Sequence, residues 1–202
     1  MRHGFVRRWT CGEVTSRRMG GLPVNHGFDL EFDLDDEDAV LTAYHEAGHA
    51  VIAAALGASI DVVSLSQASA FDDLEDGPTR FGDCLVDWGR VDAAAPTQRM
   101  KELWTVLAGP AAEFVYANRE LDPAHAATWQ EDFRHARRCA AALTRTPSEE
   151  TRLLRQATRF LTETIASPGC WDAVAALADE LVLGDPVDGQ RVAELVRFWW
   201  AR

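Results

Sequence analysis

Between Ala39 and Leu56 the chain runs through an alanine-rich apolar stretch with helical periodicity, and His45, Glu46 and His49 stand in its middle. That placement constrains the fold more than any other feature. An apolar helical face goes to a core, and a core tolerates a carboxyl group and two imidazoles only where each finds a partner. Residues four apart share a helix face, so His45 and His49 can aim two nitrogens at one point. Neutral imidazole is a customary Zn²⁺ donor at about 2.0–2.1 Å. Glu46, one residue on, is turned about 100° away. It stands beside the metal, where a carboxylate can hold a water molecule and take its proton. Zinc lowers the pKa of such a water to roughly 7. The pattern His-Glu-x-x-His therefore predicts a zinc centre with His45 and His49 as ligands and Glu46 as the general base of a peptide-bond hydrolase. Gly48 and the alanines around it keep this helix slim, so a second element can pack close.

Catalytic zinc ordinarily has three protein ligands and an open position. The metzincin pattern would need Gly and His where this chain has Ile52 and Ala55. A thermolysin-like Glu some twenty residues on is missing from 67–70, and the acids at 72–76 lie in a predicted loop. The residues themselves leave the third ligand open among Glu113, Asp122, His125, Glu131, Asp132 and His135. Glu113 is also a candidate to orient a ligating histidine. Cys11, further upstream, is a thiol that could reach such a centre.

The rest of the pattern places the motif in a mainly α (α+β) domain. Gly57 suits the residue just past a helix end. Residues 60–66 and 80–88 read as strands around a polar loop, and 97–118 as a helix that Pro110 should kink or divide. Further helices are expected near 125–144, 148–166, 169–182 and 188–201, with Ser148 as a plausible cap. Residues 1–38, with a basic start, paired glycines and an acidic run, read as a loose arm, and 39–202 as the zinc metallopeptidase-like domain. The strand at 80–88 is the candidate edge for an extended peptide. Phe198, Trp199 and Trp200 read as core or interface.

Composition narrows the partners. With 20 Lys and Arg against 32 Asp and Glu, the formal charge is −12, which argues against nucleic acid and anionic membrane surfaces. The apolar run around 50–58 is too short to span a bilayer. Four scattered cysteines without a C-x-x-C pair fit a reduced, cytoplasmic setting. The expected partner is a peptide or an unfolded protein substrate, with a homo-oligomer possible in principle.

Three segments, in order, resemble a known family. Thr42-Ala43-Tyr44-His45-Glu46-Ala47-Gly48-His49-Ala50 looks like the active-site helix of the peptidase domain of FtsH-type zinc proteases. Leu107-Ala108-Gly109-Pro110-Ala111-Ala112-Glu113 is similar to a following helix of that family, with proline where the family has arginine. Trp129 to Ala136 is similar to the stretch whose aspartate is the family's third zinc ligand, which falls here on Asp132. Residues 175–196 resemble the family's last helices. The resemblance, covering roughly 39–198, implies a zinc metalloendopeptidase. The chain differs in having no Walker A motif and in carrying Glu131 where the family has Asn, so powered degradation is not implied. A non-catalytic zinc-containing peptide- or protein-binding module is the alternative function.

Overall fold

The computed structural model describes residues 6–10, 34–66, 81–118 and 129–200. Its centre is a helix, α1, spanning Leu34–Ala55. The motif sits two-thirds of the way along it, where the residues from Thr42 to Ala53 are all buried. α1 starts earlier than the expected residue 39, so the end of the acidic run belongs to the helix. Its C-terminus closes as expected at Gly57 (φ +91°). Gly57 N–H donates to Ala54 O and Ala58 N–H to Ala53 O, both at 3.0 Å, the paired bonds of a Schellman end. Lys101 Nζ reaches the orphan Leu56 carbonyl at 2.7 Å.

The remaining elements are β1 (Val6–Thr10), β2 (Ser59–Ser66), β3 (Phe81–Asp87), α2 (Pro96–Tyr116), α3 (Gln130–Leu143), α4 (Pro147–Ile165), α5 (Pro168–Val182), β4 (Val187–Asp188) and α6 (Gly189–Trp199). The domain is mainly helical with a small antiparallel sheet, the class the pattern predicts. The sheet order is β1-β3-β2-β4. Thus β3 is not an edge. It pairs with β1 through Val6↔Asp87 to Thr10↔Asp83 on one side and with β2 on the other. The expectation of a free edge at 80–88 is corrected by β1, which lies inside the stretch taken for a loose arm.

α1 packs on α2, α5, α6, β2 and β3. Against α2 the approach is very close. A Cβ on Gly48 would lie 2.5 Å from Ala108 O and 2.7 Å from Ala112 Cβ, so only glycine allows the two backbones to meet there. Leu103, Leu107, Val51, Val63, Leu161 and Leu177 are fully buried in the same core cluster as Ala108 and Ala112. Tyr44 braces α1 by stacking on Tyr116 (4.1 Å between centroids) and Trp171 (5.3 Å). Trp199 and Trp200 pack partly buried on the core, while Phe198 is half-exposed.

Two local expectations are corrected. Pro110 does not divide α2; the helix runs through it to Tyr116. Proline removes only one backbone donor, and the buried packing of this stretch from Leu103 to Phe114 outweighs that loss. α4 is capped by Thr146, not Ser148. Pro147 occupies the first helical position, where its missing N–H costs nothing, and a capping box joins Thr146 to Glu149.

Candidate metal centre

The first two site residues come from α1, and their four-residue spacing places both imidazoles on the face turned to α2. His45 and His49 are each 1% exposed and their Nε2 atoms are 3.0 Å apart. α3 brings Asp132 (4% exposed) against them. Its Oδ2 lies 3.1 Å from His45 Nε2 and its Oδ1 3.7 Å from His49 Nε2.

The outward nitrogens show what this cluster needs. His49 Nδ1 is 2.7 Å from the Thr105 carbonyl, which can only accept, so the proton sits on Nδ1. Burial pushes the His49 pKa down to about 4, against the Asp132 charge. His49 is therefore neutral, with its Nε2 lone pair turned toward His45 and Asp132. His45 Nδ1 faces the Glu113 carboxylate at 3.2 Å. Two Nε2 atoms and a carboxylate then converge on one point out of reach of water. A divalent cation satisfies all three. Ligands about 2.0–2.1 Å from a tetrahedral ion stand about 3.3–3.4 Å from one another, and the three observed separations of 3.0, 3.1 and 3.7 Å bracket that value. His45, His49 and Asp132 are thus a group able to hold a metal ion.

A polar outer layer keeps the ligands in place. Glu113 is 6% exposed and also accepts from Trp129 Nε1 at 2.6 Å. Trp129 immediately precedes α3 and packs tilted against Phe114 (4.7 Å between centroids), so one indole ties the start of the Asp132 helix to the partner of His45. Gly109 supplies the room. A Cβ there would overlap His49 Nε2 and stand 2.7 Å from its Cε1 and 2.8 Å from His45 Cδ2.

Glu46 lies on the neighbouring face of α1, fully buried, and neither carboxyl oxygen has a hydrogen-bond partner among the described residues. It leans on β3 at Gly82, where a Cβ would come within 2.6 Å of Oε1. Burial pushes its carboxyl up to about 8; His45 opposes this, while the Asp132 and Asp83 charges add to it. A buried acid with no hydrogen-bond partner is costly to keep.

The structure thus brings together His45, Glu46, His49 and Asp132, with Glu113 behind His45. It separates the other sequence candidates. Glu131 points to solvent and pairs with Arg134 and Arg138. His135 belongs instead to a second group with Glu102 and Cys139. Asp122, His125, the acids at 72–76 and Cys11 lie outside the described residues. Sequence reasoning missed the Thr105 carbonyl, Trp129 and the Gly109 cradle. Only Gly109 carried a signal, a glycine four residues before a glutamate inside a helix. Compared with known proteins, the chain matches no family model and no curated protein.

Proposed function

We propose that this chain is a zinc-dependent metallopeptidase in which His45, His49 and Asp132 hold Zn²⁺ and Glu46 is the general base. One observation carries the reading: a fully buried, unpartnered Glu46 carboxyl stands one residue from a buried His-His-Asp donor set. A structural centre has no use for that acid. Zinc bound there would supply Lewis acidity that favours attack of water on a peptide carbonyl near neutral pH. Glu46 takes a proton from the attacking water and delivers it to the leaving amine. Gly82 and Cys84 wall Glu46 off on the sheet side, which keeps the proton transfer in a dry pocket. Glu113 and Thr105 fix the ring orientations and turn both Nε2 atoms toward Asp132. Further support comes from the sequence: the three segments that resemble FtsH-type peptidases supply the motif helix, Gly109 with Glu113, and Trp129 with Asp132.

A second reading, a zinc-containing module that binds peptides without cutting them, is favoured by one feature. Both sides of β3 are paired, so the strand beside Glu46 offers no free edge for an extended substrate. Digestion of a broad peptide library by metal-loaded wild type and Glu46→Gln decides between them. Cleavage by wild type and its loss in the variant support hydrolysis. Capture of peptides by both with cleavage by neither supports the module.

A further inference from the structure

The seam between α2 and α3 holds a second convergence of ligating side chains. His135 and Cys139 are four apart on α3 and so share one face. That face meets Glu102 of α2. Glu102 and Cys139 are fully buried, and His135 is half-buried. Their ligand atoms all lie within 4.8 Å of one another. The neighbouring seam positions Leu103, Val106, Ala136 and Ala140 are buried and apolar. In such a seam a fully buried carboxylate such as Glu102 is costly, and an apolar residue of similar volume would ordinarily hold the helices together as well.

We propose that Glu102, His135 and Cys139 form a second metal site, for a Zn²⁺ that pins α2 to α3. The donor set selects the ion: thiolate, imidazole and carboxylate together suit zinc, whereas Mg²⁺ or Ca²⁺ would want oxygen alone. Cys139 ligates as thiolate and releases its proton on binding. At present its thiol donates to Glu102 Oε2 across 3.9 Å, a long contact that an ion between the two would replace. Glu102 is also approached by Arg99 (3.2 Å) and Gln98 (3.5 Å). Arg99 keeps 29% of its side chain exposed and can swing outward when a dication takes its place. Three ligands leave a fourth position for water, reached past the half-buried His135. This site lies next to the first but is not part of it. His135 follows Asp132 by one turn of α3, and Glu102 precedes Thr105 by one turn of α2.

Cobalt titration of the full-length reduced protein tests the proposal without relying on activity. Among the described residues the first centre has no sulfur ligand, so a near-ultraviolet thiolate-to-cobalt charge-transfer band that survives Cys11→Ser reports the second. The expected result is a band in wild type that survives in His49→Ala and Cys84→Ser, disappears in Cys139→Ser, and needs roughly tenfold or more cobalt in His135→Ala. His135 is half-buried, so its variant stays readable should Cys139→Ser fail to fold. No band at saturating cobalt in folded protein, or a band indifferent to both Cys139→Ser and His135→Ala, overturns the site and leaves only a buried thiol–carboxylate hydrogen bond.

Discussion

Gly109→Ala is the substitution that tests the centre most directly, because its ordinary effect and its expected effect here have opposite signs. In a helix interior, alanine is better than glycine by roughly 0.5–1 kcal/mol. Here the added Cβ would overlap His49 Nε2 and stand 2.7 Å from His49 Cε1 and 2.8 Å from His45 Cδ2. Ordinary contact is about 3.5 Å, so both imidazoles must withdraw by about 0.7 Å or more. Coordination distances tolerate only about 0.2 Å. Displacing two of three ligands in this way should weaken zinc binding by roughly 100-fold or more, beyond the 10–100-fold loss seen when only an outer partner is removed. Overpacking costs about 1–3 kcal/mol, partly offset by the helix preference for alanine. The metal-free variant should therefore lose on the order of 1 kcal/mol and remain folded. Competition with a chromophoric chelator gives the affinity, and thermal melts with and without zinc give the stability. A Gly109→Ala protein that binds zinc as tightly as wild type would sink the assigned ligand geometry.

Other expectations follow from the same contacts. Asp132→Ala should remove most zinc affinity in the chelator assay while Glu131→Ala leaves it unchanged; equal losses would mean that the third ligand is misassigned. Glu46→Gln should bind zinc normally and lose peptide hydrolysis by roughly 100-fold or more; equal turnover by both proteins would exclude Glu46 as the base. Trp129→Phe keeps an aromatic ring against Phe114 but deletes the donor to Glu113, and should weaken zinc binding roughly 10-fold, an effect absent if Glu113 does not steady His45. In chelator-treated protein, the Glu46 carboxyl has a folded pKa near 8 against 4.5 unfolded, so its stabilising share is complete below 4.5 and is lost as pH rises through 8. His49, near 4 folded against 6.5 unfolded, acts oppositely and only below 6.5. Between pH 6.5 and 8 the metal-free protein should lose on the order of 2 kcal/mol that Glu46→Gln does not lose; parallel melting curves for the two would contradict this.

Much of this arrangement is legible in the residues because it depends on local rules. The 3.6-residue repeat places His45 and His49 on one face, Gly57 ends α1, and proline or glycine pairs separate the later helices. What escaped depends on partners distant in the chain. Gly109 is glycine because of imidazoles some sixty residues earlier. β1 exists by pairing with a strand more than seventy residues away, and a five-residue segment carries little periodic signal of its own. β4 has two residues and none at all. Ser148 looked like the cap because serine caps helices, but the proline before it fits the first helical turn and moves the cap to Thr146. The second cluster had a visible trace, His135 and Cys139 at helical spacing, yet its meaning depends on Glu102, which only the α2–α3 packing brings into reach.

The motif helix supplies two of the three candidate ligands, but α2 decides how they are held. Glu102, Thr105, Gly109 and Glu113 fall three or four residues apart and so form one stripe along that helix. Thr105 holds His49 through its carbonyl, Gly109 opens the space both rings occupy, and Glu113 holds His45. Thr105, Gly109 and Glu113 stand outside the His45, His49 and Asp132 donor set. They hold the two Nε2 atoms 3.0 Å apart and facing one another, so a bound ion would meet rings already aimed. It follows that transplanting His45-Glu46-Ala47-Gly48-His49 onto another helix would reproduce the spacing without the affinity. What would have to travel with it is the face of α2, which the His-Glu-x-x-His pattern does not mention.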